Sequence, residues 1–176
     1  MSAFGMTYAV YVALVGSSMV AFDSRPPPPN APQAQHGTWN YSLGYDDPRK
    51  GTPGASGFVN VEYLPNGPVL WRGLVPRYDF GISVDGAVFG SAGLRKGFYV
   101  SNVIITPYTG IVAYQSDLSK SYKGRELIQF KTGIDVSLPL TPKVSLGIGY
   151  FHISNAGLTR SSAEIDVSRV LLQYRY

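Results

Sequence analysis

The residues from Glu164 to Tyr176 alternate between apolar and polar side chains, and this pattern limits the fold more than any other feature of the chain. The even positions carry apolar or aromatic side chains, namely Val170, Leu172, Tyr174 and Tyr176. The odd positions include polar or charged side chains, namely Arg169, Gln173 and Arg175. Successive side chains of a β-strand point to opposite faces, so the pattern predicts a strand with one apolar and one polar face.

The segment before it repeats the pattern, with Val144, Leu146, Ile148 and Tyr150 on one face and Ser145, Gly147 and Gly149 on the other. From His36 onward no stretch has the 3.6-residue period of a helix, and turn residues separate short β-branched and aromatic segments. The predicted strands are Gly37–Tyr45, Ser56–Tyr63, Arg77–Phe89, Lys96–Asn102, Ile104–Tyr114, Glu126–Leu138, Lys143–Ser154 and Glu164–Tyr176.

Such strands fit either a soluble sandwich with its apolar face inward or a membrane barrel with its apolar face outward. Charged residues are 15% of the chain, aromatic residues are 13%, and the last residue is Tyr176, similar to the terminal aromatic residue of bacterial outer-membrane barrels. These features favour an all-β fold, an eight-stranded antiparallel transmembrane β-barrel located in the bacterial outer membrane. A barrel of eight strands is filled by its own side chains and leaves no pore.

The N-terminal residues support export. Met1–Phe22 carries no charge, and its apolar core around residues 8–15 is followed by small residues. This is the pattern of a signal peptide, so residues 1–21 are predicted to be one, although no basic residue precedes the core. The alternative is a membrane-anchoring helix. Residues 22–35 are Pro-rich and predict an extended spacer, which leaves residues 36–176 for the barrel.

Composition excludes several kinds of site. The chain has no Cys and only two His, His36 and His152, so no Cys-based or His-rich metal site is predicted. No run of Lys and Arg is long enough to suggest nucleic-acid binding. The net charge of +4 fits anionic partners such as lipid phosphates.

Two polar residues interrupt the apolar face of the segment that ends at Ser154. His152 and Ser154 follow Tyr150 on the even face, whereas Phe151 and Ile153 take the odd face. Polar residues on a face that meets lipid are functional candidates by default. The alternative is that they mark the place where the sheet leaves the membrane.

The final segment supplies acids of the same parity. If it forms a hairpin with the segment before it, Asp166 lies opposite His152 and Glu164 lies opposite Ser154. A serine, a histidine and a carboxylate on one surface suit nucleophilic catalysis, in which His removes the Ser proton and the acid orients His. Asp166 is the predicted acid and Glu164 the alternative. Asn155 and the backbone around Gly157 are candidates for binding an oxyanion.

The run from His152 to Leu158, followed by Ile165-Asp166 and a terminal strand, resembles the PagL-type lipid A 3-O-deacylase (acyloxyacyl hydrolase) family. Members of that family are eight-stranded outer-membrane barrels with a His-x-Ser-Asn motif and a carboxylate fourteen residues after the histidine, the position of Asp166 here. Weaker matches at residues 106–110 and 124–127 extend the likeness.

The resemblance implies a serine esterase that hydrolyses the 3-O-linked acyl chain of lipid A, with no cofactor. The implied partners are lipid A or lipopolysaccharide as substrate and outer-membrane lipids around the barrel, and a homodimer stays open. Two other interpretations also stay open: a non-enzymatic barrel with a structural or interaction role, and a subunit of an envelope complex that keeps Met1–Phe22 as an anchor.

Overall fold

The computed structural model describes residues 37–46, 57–65, 74–115, 129–154 and 165–176. The predicted signal peptide, residues 1–21, and the Pro-rich spacer, residues 22–35, lie outside them. The described residues form nine strands: β1 Thr38–Asp46, β2 Gly57–Leu64, β3 Val75–Ser83, β4 Val88–Arg95, β5 Phe98–Val100, β6 Val103–Gln115, β7 Gln129–Pro139, β8 Val144–Ser154 and β9 Ile165–Arg175.

The strands form one antiparallel sheet that closes on itself. Their order is β4-β3-β2-β1-β9-β8-β7-β6-β5, and a further pairing of β4 with β6 closes the ring. β5 pairs with the beginning of β6, and β4 pairs with the rest of β6, so β4 and β5 act as one interrupted strand of the wall. The fold is therefore a closed eight-stranded barrel, and closure removes the exposed strand edges that favour aggregation.

Two of the predicted strands are wrong in their bounds. Arg77–Phe89 is not one strand, because a turn at residues 84–87 separates β3 from β4. In this turn Ser83 N–H donates to the Ala87 carbonyl oxygen, and Gly86 takes a φ of 90° that favours glycine.

The predicted strand Lys96–Asn102 is only the short β5, which continues β4 after a break at residues 96–97. Opposite this break lies Pro107, which has no backbone N–H to donate across the ladder. The two errors cancel in the count of wall strands, because one predicted strand is split and another is merged.

The outer wall is apolar. Large hydrophobic side chains on the outward face are 36–68% exposed along β1 and 42–55% exposed along β9. Aromatic residues lie at the end of the barrel where β1 begins and β9 ends, and there Trp39 packs against Tyr63 with ring centroids 4.8 Å apart. An apolar outer band with aromatic residues at its border is typical of transmembrane barrels. Among the described residues, no helix is long and apolar enough to cross a membrane.

The barrel interior is filled by two groups of side chains. The charged cluster consists of Glu62, Arg77, Asp79, Lys131, Asp135 and Arg169, whose side chains are at most 2% exposed. The apolar plug consists of Phe58, Phe89, Tyr108, Val112, Phe151, Ile153, Ile165 and Val167. The ion pairs include Lys131 with Asp79 at 2.8 Å and Arg169 with Asp135 at 2.7 Å. The filled interior agrees with the prediction of a barrel without a pore.

The two ends of the barrel differ in their connections. Thr38 and Arg175 mark the terminal end, where β5 joins β6 and β7 joins β8 through short turns and residues 65–74 connect β2 to β3. The opposite end carries three of the four long connections between described strands, at residues 47–56, 116–128 and 155–164, together with the short turn at residues 84–87. Outer-membrane barrels have short periplasmic turns and longer extracellular loops. Since three of the four long connections lie at the end where β8 ends, we expect Ser154 to face the outside of the cell.

Candidate active site

His152 and Asp166 lie side by side on the outer wall, in the register that the sequence predicts. Strands β8 and β9 pair His152 with Asp166, and the His152 Nδ1 is 2.8 Å from the Asp166 Oδ1. The two side chains are 28% and 30% exposed. A charged hydrogen bond of this length is well formed, and it fixes both groups on the outside of the barrel, near its extracellular end.

The contact has a consequence for the other ring nitrogen. When Nδ1 of a neutral imidazole carries the proton and donates it to a carboxylate, Nε2 is left as an acceptor. His152 in this state is able to take a proton from a hydroxyl group. Asp166 also accepts a hydrogen bond from the Tyr150 hydroxyl on the same Oδ1 atom.

Ser154 is on the same face of β8 but is more enclosed than expected. It pairs with Phe130 of β7 and is 5% exposed. No hydrogen bond joins Ser154 to His152 within the part of the chain that the structure describes. Residues two apart on one strand face are neighbours, so the two side chains are adjacent, although Ser154 exposes little of its surface.

Three other residues singled out in the sequence cannot be placed. Asn155 and Gly157, the candidates for oxyanion binding, and Glu164, the alternative acid, lie outside the described residues. The geometry thus joins Asp166 to His152.

Inward neighbours anchor this part of β8. Phe151 and Ile153 alternate with His152 and are 1% and 0% exposed in the apolar plug. Phe151 packs against Phe89 with ring centroids 5.9 Å apart. A tightly packed interior holds the strand rigid, so the outward side chains project from a fixed support.

An open groove of about 700 Å³ lies on the outer wall, and one of its lining residues, Tyr150, contacts Asp166 through its hydroxyl. Its upper row runs across four strands as Tyr45, Ser168, Tyr150 and Ile134. The next row is Leu43, Val170, Ile148 and Val136. The depression lies at Ser168, because this small residue lies between the large side chains of Tyr45 and Tyr150. Since two residues of a strand span about 7 Å, the groove begins about that distance from His152 along β8, at Tyr150.

Sequence reasoning missed the groove and two neighbours of His152. Thr132 lies opposite His152 on β7 and is 5% exposed, and the Tyr150 hydroxyl contacts the acid. Tyr150 has the same even parity as His152, so the sequence alone places the two side chains on one face of the strand. The position of Thr132 required the pairing of β7 with β8, which the sequence does not specify.

No family model and no curated protein matches the chain. Several solved structures are similar in fold. The N-terminal β-barrel domain of OprF from Pseudomonas aeruginosa gives a TM-score of 0.61 at 7% identity, over 81% of this chain and 98% of that one. A de novo designed transmembrane β-barrel gives 0.58 at 12% identity, over 86% and 98%. The outer membrane enzyme PagL gives 0.52 at 17% identity, over 77% and 98%.

At such identities the likeness shows the fold. The closed eight-stranded barrel and its apolar outer wall are those of a bacterial outer-membrane protein. One of these structures is an enzyme and another is a designed barrel, so the fold alone does not select an activity.

Proposed function

We propose that the protein is a serine esterase of the outer membrane that hydrolyses the 3-O-linked acyl chain of lipid A. The observation that carries the proposal is the His152–Asp166 hydrogen bond of 2.8 Å on the lipid-facing wall. An ion pair inside the barrel fills the interior, whereas this pair lies on the outward face, two positions from a serine. The His-x-Ser-Asn motif and its resemblance to the PagL-type family support the same assignment.

In this mechanism Ser154 is the nucleophile, His152 the general base and Asp166 the acid that orients His152. His152 Nε2 takes the proton of the Ser154 hydroxyl while the oxygen attacks the ester carbonyl carbon. The resulting oxyanion is assigned to Asn155 and to the backbone N–H at Gly157, from the motif alone. Such donors stabilise the transition state because they are in place before charge develops.

Collapse of the intermediate breaks the ester bond, and His152 returns the proton to the departing sugar hydroxyl of lipid A. A water molecule then attacks the acyl-Ser154 ester, again with His152 as the base, and releases a hydroxy fatty acid. The chemistry needs no cofactor, since the protons move only among Ser154, His152, the leaving group and water.

The location of the pair suits a lipid substrate. Lipid A in the outer leaflet reaches the outer wall by lateral diffusion, without leaving the membrane. The groove below His152 is lined by apolar side chains and offers a surface for an acyl chain. In this proposal the end of the barrel that carries His152 and Asp166 lies at the level of the charged lipid headgroups.

The test is mass spectrometry of lipid A from membranes with and without the protein. We expect the wild type to remove one hydroxyacyl chain and Ser154→Ala to remove none. Both proteins should keep the heat-modifiable mobility of a folded barrel. Ser137→Ala, a matched change at an inward serine near the terminal end, should leave the activity intact. A fluorophosphonate probe should label Ser154 in the wild type.

The alternative is a non-enzymatic barrel with a structural or interaction role. It is favoured by the enclosure of Ser154, the proposed nucleophile, which is only 5% exposed. Unchanged lipid A in the presence of folded wild-type protein would support it. Activity that EDTA abolishes and calcium restores would instead require a metal-assisted mechanism.

A further inference from the structure

Two donors converge on a single oxygen atom of Asp166. The His152 Nδ1 lies 2.8 Å from Asp166 Oδ1, and the Tyr150 hydroxyl donates to the same atom. Tyr150 and His152 are two residues apart on one face of β8, and Asp166 is directly opposite His152 on β9. The phenol therefore reaches the carboxylate along the diagonal of the strand pair.

This diagonal contact depends on the size of the tyrosine side chain. Diagonal neighbours in an antiparallel pair are about 7–8 Å apart, which only long or aromatic side chains bridge. Ser168 lies directly opposite Tyr150 and is too short to block the path. Tyr150 also lines the groove. Its ring therefore faces the groove, whereas its hydroxyl contacts Asp166.

The hydroxyl acts on the acid in two ways. It satisfies part of the hydrogen-bonding capacity of a carboxylate that lies at the border of lipid, where an unpaired charge is costly. It also restricts rotation of the carboxylate, because a hydrogen bond to an ionised group is stronger and more directional than one between neutral groups. Both effects keep Oδ1 turned toward the His152 ring.

We infer that Tyr150 is a positioning residue whose hydroxyl holds Asp166 in the orientation that aligns His152 for proton transfer. The inference rests on the proposed esterase function and deepens it. Tyr150 makes no bond to the reacting atoms in this scheme and acts only through the acid.

The test replaces Tyr150 by Phe, which removes the hydroxyl and keeps the ring that lines the groove. We expect kcat on purified lipid A to fall by about 10- to 150-fold, the effect of losing one hydrogen bond to a charged group. KM should stay within about twofold, since only an interaction that acts in the transition state is lost. The rate at which a fluorophosphonate probe labels Ser154 should fall in parallel.

A double-mutant cycle separates positioning from a general structural effect. In the Asp166→Ala background no carboxylate remains to be held, so adding Tyr150→Phe should change the labelling rate by less than about twofold. If the two changes multiply independently, Tyr150 acts by another route and the inference is wrong.

The control is Tyr174→Phe. Tyr174 is an outward tyrosine at the other end of the same strand pair, opposite Val144 and 42% exposed. Tyr174→Phe should leave both kcat on lipid A and the rate of Ser154 labelling unchanged. Wild-type kcat in Tyr150→Phe would overturn the inference and leave the esterase standing, whereas a wild-type protein that neither deacylates lipid A nor reacts with the probe would overturn both.

Discussion

Removal of Arg169 should destabilise the barrel more than any outward substitution. Its guanidinium lies 2.7–2.8 Å from the two carboxylate oxygens of Asp135 and donates to Asn60 Oδ1 and to the Tyr108 hydroxyl, both at 3.0 Å. Arg169→Leu keeps much of the volume but leaves Asp135 charged and unpaired inside the barrel. Breaking a buried pair from one side costs about 3–5 kcal/mol, which lowers the folded-to-unfolded ratio by roughly two to four orders of magnitude.

The free energy of unfolding is measurable by urea titration in phospholipid vesicles, followed by tryptophan fluorescence and by mobility on unheated gels. The double variant Arg169→Leu with Asp135→Leu should recover at least half of the loss, because no charge is then left unpaired. Arg175→Leu is the matched control on the same inward face. Arg175 lies at the mouth, donates to Ser145 at 2.9 Å, and should cost less than about 1 kcal/mol. Equal losses for both arginines would refute the argument from burial.

Three further outcomes are expected. Asp166→Asn should lower turnover on lipid A by about 10- to 10³-fold, and Glu164→Gln by less than about tenfold, since only the first removes the carboxylate beside the imidazole; a larger loss for the second would reassign the acid. Gly149→Ala should destabilise the barrel by about 1–3 kcal/mol in the same urea assay, because its new Cβ would lie 2.1 Å from a buried carboxylate oxygen of Asp135. Gly90→Ala is the control, since its Cβ meets nothing within 4 Å. Ser168→Leu fills the floor of the groove and should lower kcat/KM for lipid A by about tenfold or more, with hydrolysis of a short soluble ester unchanged; equal losses on both substrates would mean that the groove does not hold the acyl chain.

The sequence by itself determined the class of fold and the central pair of the candidate site. A period of two is decisive because a strand has only two faces, so parity assigns inward and outward residues without any tertiary information. The same parity and one hairpin register placed Asp166 opposite His152, and the structure has that pairing. Local geometry is sufficient here because the two residues belong to neighbouring strands.

Only the tertiary structure decided features that depend on several strands at once. The break between β4 and β5 follows from Pro107 on another strand, so the sequence around residues 96–97 does not reveal it. The groove needs four strands in register, with a small residue on one and tyrosines on its neighbours. The enclosure of Ser154 and the pairing of Arg169 with Asp135 likewise depend on how the closed sheet brings distant residues together. Alternation fixes the side of the wall on which a residue lies, but strand order and register select its neighbours.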